Sequence, residues 1–261
     1  MTLTGATRLV GLIGKPVAES LSPRMQNAAF AARGLDWAYV AMEVEPEGLE
    51  AAVRGLVAEG FAGANVTVPH KEAVVGLCDE ADGDSVNTLV IRDGRVLGTS
   101  TDGIAVAGAI DATGAHVLLL GAGGAARAVA RALLLSGAAS VCVASRNLNR
   151  AAALVEALGD ERAAASPRWP PETRAGSVIV NATPVRDDPL VRVSSEHVVV
   201  DLAYRGDGGK TTLVAVAEQA ACNTIIDGLE VLVRQGAASF ELWTGVPAPV
   251  DVMRAAVRSA A

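Results

Sequence analysis

The sequence predicts an α/β protein of two domains, an N-terminal α/β substrate domain with a mostly parallel sheet followed by a Rossmann-type dinucleotide-binding domain. Three observations carry this. Residues 116–150 run as strand, glycine turn, helix and second strand. Short apolar runs alternate with segments of helical period on both sides of that stretch. The 261 residues, 51% of them hydrophobic, exceed what a nucleotide-binding half needs and can fill two modest cores.

Residues 8–13, RLVGLI, form the first expected strand, stopped by Gly14, Lys15 and Pro16. Pro23 suits the first turn of a helix and Ser22 its N-cap, with Met25, Ala28, Ala29 and Phe30 as the apolar side. Ser20 and Ser22 serve there as ordinary caps or, with the free N–H groups of the helix start, as a seat for a carboxylate. A strand at 38–44 and a helix at 46–58 follow, the latter with Leu49, Val53 and Leu56 on one face. In the next segment Asn65 and Thr67 lie two apart on an extended chain and point the same way. Pro69 ends that strand and leaves Lys71 just beyond it, where ligands sit in α/β folds, although a lone lysine is also an ordinary solvated side chain. His70 reads as a solvated loop residue. Residues 71–78 are expected to be helical, 79–84 an acidic loop and 86–91 a strand that turns at Arg92-Asp93-Gly94-Arg95 into a hairpin. Asp102 stands as the N-cap of a helix over 104–110.

The apolar run 117–120 meets Gly121, Gly123 and Ala126 in GxGxxA spacing, then a helix with Val129, Ala130, Ala132 and Leu133. The first glycine permits a tight turn and the second lets backbone approach a pyrophosphate. The small third residue lets helix pack on strand, and the N–H groups at the helix start meet the phosphate charge. The end of the next strand, 140–144, decides which dinucleotide fits. An NAD site would place a carboxylate there for the ribose hydroxyl; this chain has Ser145, Arg146, Asn147 and Arg150. Two guanidinium groups suit a 2′-phosphate in charge and geometry, so the cofactor expected is NADP. Further parallel strands are expected at 177–181, 198–201 and 224–226, with helices to 158, at 212–222 and at 231–242.

A net charge of −7 argues against a nucleic-acid or anionic-membrane partner and leaves a small molecule. Cys78, Cys142 and Cys222 are too scattered for a disulfide framework or a zinc motif, and reduced thiols in a cytoplasmic protein are expected. No apolar run reaches membrane-spanning length, and no metal is expected. A monomer or homodimer is compatible with the sequence.

The stretches GKPVAESLSPRMQNAAF, GANVTVPHK, SVNT, TDGIAVAG, GAGGAARAVA, ASRNLNRA, VNATP, VDLAY and GLEVLVRQGAASFELWTG occur in fixed order along nearly the whole chain. In this the chain resembles the shikimate dehydrogenase family. The resemblance implies NADP-dependent interconversion of shikimate and 3-dehydroshikimate, within aromatic amino-acid biosynthesis. It implies domains at 1–101 for substrate and 102–228 for NADP, with C-terminal helices at 229–261 packing back on the first. Ser20 and Ser22 match the serines that bind the substrate carboxylate, with Tyr204 near it. Asn65, Thr67, Asn87 and Gln235 match residues holding ring hydroxyls, and Lys71 and Asp102 the catalytic pair. Gly121, Ala122, Gly123, Gly124 and Ala125 match the pyrophosphate turn; Ser145, Arg146, Asn147 and Arg150 match the NADP-selective patch; Thr183, Leu202 and Gly228 match the nicotinamide side.

The chemistry agrees with that pairing. Oxidising a ring alcohol sends hydride to nicotinamide and requires a group to take the hydroxyl proton, which an ammonium beside a carboxylate can relay. The chain departs from the family pattern at Glu19 and Gln26, where His is usual, at Ser100 for Asn, at Val231 for Met, and at Arg186-Asp187 for Gly-Met. These departures keep quinate or an amino-shikimate open as substrate. A non-catalytic sensor is a rival against which Lys71 and Asp102 speak, and a folate-type dehydrogenase is a third reading.

Overall fold

A computed structural model of the chain describes residues 3–259. They form two compact units: one runs to Thr101 and resumes at Leu232, and the other is Asp102–Val231.

The first unit contains β1 (Arg8–Gly14), α1 (Ser22–Ala32), β2 (Trp37–Glu43), α2 (Leu49–Ala58), β3 (Gly63–Val66), β4 (Glu80–Ala81), β5 (Thr88–Arg92) and β6 (Arg95–Thr99). Its sheet has the order β2-β1-β3-β5-β6-β4. β1 lies parallel to β2 and β3, whereas β5 runs antiparallel to both β3 and β6, so the hairpin makes the sheet mixed. One face packs Leu49, Val53 and Leu56 of α2 on Ile13, Ala64, Val66 and Leu89. The helical period of these three residues is what turns one side of α2 to the sheet.

Three local expectations are corrected. Residues 71–78 hold only a short 3-10 turn, Ala73–Leu77, because β-branched Val74 and Val75 followed by Gly76 are poor helix formers in so short a run. Ser22 is the first residue of α1 and not its cap; the N-cap position is Leu21, and the Ser22 N–H donates to Ser20 Oγ at 3.3 Å. The helix expected at 104–110 begins earlier, as α3 (Thr101–Ala107), which puts Asp102 inside its first turn.

The second unit holds β7 (His116–Leu120), α4 (Gly124–Leu135), β8 (Ser140–Ala144), α5 (Leu148–Leu158), β9 (Ala163–Ala165), β10 (Val178–Asn181), β11 (Val198–Asp201), α6 (Thr212–Gln219) and β12 (Thr224–Ile226). All its strands are parallel, in the order β12-β11-β10-β7-β8-β9. This order reverses at β7, which places a crevice at the carboxyl ends of β7 and β10, the doubly wound arrangement for a dinucleotide. The small residues Ala126 and Ala130 bring α4 close to the sheet in a core with Val117, Leu119, Val141 and Val180.

The chain closes with α7 (Gly228–Thr244) and α8 (Val250–Arg258). From Leu232 these helices belong to the first unit, where Phe240 stacks on Phe30 at 5.3 Å between ring centroids and Trp243 Nε1 donates to the Leu89 carbonyl at 2.8 Å. Among the described residues no helix is long and apolar enough to cross a membrane.

Candidate active site

In the first unit four of the expected substrate residues, Ser20, Ser22, Thr67 and Lys71, follow the carboxyl ends of β1 and β3, which pair in parallel with Leu12 opposite Asn65. Ser20, half-buried, and Ser22, buried, follow β1 at the start of α1. Thr67 and Lys71 lie on the loop after β3, where the Lys71 carbonyl accepts from the Val86 N–H at 2.8 Å. His70, between these two, is not a solvated loop residue. It is 1% exposed, and its Nε2 lies 2.8 Å from the Val44 carbonyl, so the ring donates there and ties this loop to the end of β2.

Asn65 sits in a buried cluster of amides and hydroxyls. Its Oδ1 accepts from Tyr39 OH at 2.9 Å. Its Nδ2 reaches three acceptors, Ser239 Oγ at 2.9 Å, Thr88 Oγ1 at 3.1 Å and the Asn87 carbonyl at 3.2 Å. Both amide hydrogens are therefore committed within the protein, and Asn65 can offer a ligand only an acceptor. Asn87 has the opposite polarity. Its Oδ1 accepts from Thr101 N at 2.8 Å, Thr88 Oγ1 at 2.9 Å and Thr101 Oγ1 at 3.1 Å, which turns its N–H donors toward Gln235 Oε1 at 3.5 Å. Gln235 comes from α7, one turn before Ser239. The hydrogen bonds thus join Asn65, Asn87 and Gln235 through Thr88, Thr101 and Ser239, with Tyr39 bound to Asn65, and the sequence assigns none of these four residues a role. The one available signal was the shared helical side of Gln235 and Ser239.

Asp102 is buried in the first turn of α3. Of the departing residues, Gln26 is buried with Nε2 donating to the Gly236 carbonyl at 2.9 Å, Ser100 is half-buried, and Val231 is a core residue of the second unit.

In the second unit Gly121 has φ +115°, a conformation side chains rarely adopt, and a Cβ there would lie 2.9 Å from the Ala182 carbonyl. Gly123 caps α4, and a Cβ there would meet nothing within 4 Å, so the approach to the helix start is open on that side. Ala122 is buried, while Gly124 and Ala125 begin α4, whose first N–H groups lack helical partners. After β8, Ser145 Oγ accepts from Asn147 N at 3.3 Å and Asn147 Oδ1 accepts from Arg150 N at 3.2 Å. Asn147 is thus the N-cap of α5, and the exposed Arg146 and Arg150 flank that helix start. Residues 145–150 contain no carboxylate. An open glycine turn, a capped helix start and two guanidinium groups fit a dinucleotide carrying an extra phosphate.

Thr183 and Leu202 follow β10 and β11, and Tyr204 lies two residues beyond Leu202. Thr183 Oγ1 donates to Asn181 Oδ1 at 2.7 Å, and the Leu202 N–H donates to the Asn181 carbonyl at 2.9 Å. Gly228 opens α7 where a Cβ would collide with the Ala203 carbonyl. Burial pushes the Asp201 carboxyl upward, opposed by hydrogen bonds from Thr211, Ala203 and Asn181. Asp187 pairs with Arg205, linking the loops after β10 and β11. The three thiols are free and half-buried, and burial raises Cys78 to about 11, with Asp79 adding to the shift. Among the described residues no group of three or more His, Cys, Asp or Glu is placed to hold a metal ion.

Comparison with known proteins places three successive stretches in one family. Residues 12–89 match the shikimate dehydrogenase substrate binding domain, 105–204 the shikimate / quinate 5-dehydrogenase domain and 228–258 the shikimate 5′-dehydrogenase C-terminal domain. The chain is 43% identical to a shikimate dehydrogenase (NADP(+)) of Methanopyrus kandleri, covering 98% of this chain and 97% of that one. Among solved structures it is similar to shikimate 5-dehydrogenase from Thermus thermophilus in complex with NADP(H) and shikimate. The TM-score is 0.83 at 34% identity, with 97% of this chain and 100% of that one covered. It is also similar to the ligand-free 5-ketofructose reductase of a Gluconobacter strain, with a TM-score of 0.86 at 29% identity over 98% and 99% of the two chains. With a two-domain α/β fold of this topology and identity at this level over nearly its full length, the chain belongs to the shikimate dehydrogenase family.

Proposed function

We propose that this protein interconverts shikimate and 3-dehydroshikimate with NADP, using the unit up to Thr101 with the C-terminal helices for the acid and the unit from Asp102 for the cofactor. The observation that carries the reading is the uncharged, buried cluster around Asn65, Asn87 and Gln235. An acceptor at Asn65 Oδ1 and a donor at Asn87 Nδ2 suit neighbouring ring oxygens, one that donates and one that accepts. Ser20 and Ser22 receive the carboxylate, with Tyr204 near it, and Thr67 and Gln235 hold hydroxyls. Lys71 and Asp102 act as a pair: the carboxylate orients, and the lysine relays the hydroxyl proton and steadies charge developing on oxygen. NADP, when bound, takes up or supplies the hydride. Gly121 to Ala125 hold its pyrophosphate, Ser145, Arg146, Asn147 and Arg150 its 2′-phosphate, and Thr183, Leu202 and Gly228 line the nicotinamide side. We place the reaction in the cytoplasm, in a monomer or homodimer.

The test is NADPH formation, followed by absorbance, with shikimate and NADP, beside NAD, quinate and the Lys71→Ala variant. Turnover with shikimate and NADP, lost in the variant by about 10²- to 10⁴-fold, supports the reading. Faster turnover with quinate, or none with either acid, overturns the choice of substrate. A second reading, the same hydride transfer on another polyol, is favoured by the likeness to 5-ketofructose reductase, and 5-ketofructose with NADPH is its assay.

A further inference from the structure

Two buried side chains in the motifs VNATP and VDLAY have no part in the chemistry above. Asn181 ends β10 and Asp201 ends β11, opposite each other in the parallel register, and both are 0% exposed. Asn181 Oδ1 accepts from both the N–H and the Oγ1 of Thr183, at 2.9 and 2.7 Å, and its Nδ2 donates to Asp201 Oδ1 at 2.9 Å. The same carboxylate oxygen accepts from Ala203 N at 2.9 Å, and Oδ2 accepts from Thr211 Oγ1 at 2.6 Å. Thr211 is the N-cap of α6. One carboxylate therefore holds the loop after β10, the loop after β11 and the start of a helix.

Those two loops are the ones against which Gly121 and Gly228 rest. The Ala182 carbonyl abuts Gly121 and the Ala203 carbonyl abuts Gly228, each too close for a Cβ. A buried carboxylate is a costly way to fill core space, since an apolar residue of similar volume is often as stable or more so. A group in this position earns its place through the geometry that it imposes.

Resting on the NADP reading, we infer that Asp201, acting through Asn181 and the Ala203 N–H, is the positioning residue of the cofactor site. It sets where Thr183, Leu202 and the two glycine contacts stand. Having no exposed surface, it touches neither substrate nor cofactor.

The experiment measures NADPH affinity by titration calorimetry on the full chain, with KM for shikimate taken in parallel and folding checked by circular dichroism. Asp201→Ala and Asn181→Ala are expected to raise the NADPH Kd about tenfold, because each leaves buried donors or acceptors unpaired beside the loops. In Asn181→Ala, which keeps the Ala203 N–H on Asp201 and with it the stretch that carries Tyr204, KM for shikimate stays put. Asp201→Asn is expected to recover most of the affinity lost in Asp201→Ala. Its Oδ1 still accepts from Asn181 and Ala203, and its new N–H donates to a rotated Thr211 hydroxyl. Thr211→Val, which unties only α6, is expected to lower Tm and leave NADPH affinity near that of the wild type. Should Asp201→Ala fail to fold, Asn181→Ala decides, since it leaves Asp201 two of its donors. Wild-type NADPH affinity in folded Asn181→Ala, or equal losses for NADPH and shikimate in that variant, overturns the inference while leaving the proposed reaction intact. Wild-type protein that binds no NADPH overturns the cofactor reading itself.

Discussion

The two units solve the same problem, fixing loops at the carboxyl ends of parallel strands, with different chemistry. Around Asn65 the first unit uses only amides and hydroxyls, and each group's polarity is set by its neighbours. Around Asp201 the second unit uses a buried carboxylate with three donors from three segments. A neutral network fixes which group donates and which accepts, without dependence on pH. A carboxylate gathers more donors onto one side chain, and each bond to charge is stronger, but its hold is coupled to its ionisation.

The sharpest way to break this comparison is Asn65→Ala, which removes the acceptor of the Tyr39 hydroxyl bond and deprives Thr88 and Ser239 of a partner in a buried setting. A loss of about 2–3 kcal/mol is expected in urea unfolding, and a loss below half of that would mean that the neutral cluster is not a network. Next is the pair Arg146→Ala with Arg150→Ala. NADPH affinity should fall about tenfold, while NADH affinity stays unchanged. The wild-type preference for NADPH should weaken as salt rises, because both guanidinium groups are exposed. In the proposed site shikimate meets mostly neutral groups, so its KM should respond less to salt. Ser239→Ala removes one of three acceptors available to the Asn65 amide, so a cost near 1 kcal/mol is expected by the same unfolding measurement.

The smallest effect concerns pH. Burial raises the Asp201 carboxyl above its ordinary 3.8, so the native state binds this proton more tightly than the unfolded chain does. Its contribution to stability is full below the unfolded value and is lost as pH rises through the raised one. Asp201→Asn lacks that term. The stability of the variant relative to wild type should therefore be greatest at neutral pH and shrink as the pH falls toward 4, read from urea midpoints in a pH series. A gap that widens on acidification would reverse the assignment.

Much of this arrangement was legible in the sequence, for reasons that can be named. The glycine turn at Gly121 to Ala125 and the carboxylate-free end of β8 announce a phosphate-binding strand–helix unit because backbone sterics and charge leave few alternatives there. Asn65, Asn87 and Gln235 were marked by motif, and the hydrogen bonds of the structure join them. What the sequence could not carry was direction and partnership. Nothing in the run NVTVPHK says that His70 turns inward to the Val44 carbonyl, because the partner lies just past the end of another strand. Nothing in VDLAY says that Asp201 will be surrounded by donors, since Asn181 and Thr211 meet it only after β10 and β11 pair in register. The three alanines of β9 carry no strand signal either; they are extended because β8 offers them an edge to pair with.

The first unit is interrupted in sequence by the whole of the second, and that has a bearing on the order in which the protein is made. Phe240, Trp243 and Gln235 leave the ribosome after everything from Asp102 to Val231. Until they do, Phe30 lacks its stacking partner, the Leu89 carbonyl lacks its indole donor and the Asn65 cluster lacks Ser239. The cofactor unit, continuous in sequence, can complete its sheet first, so a nascent chain should acquire its nucleotide fold while the acid-binding half is still waiting for its last two helices.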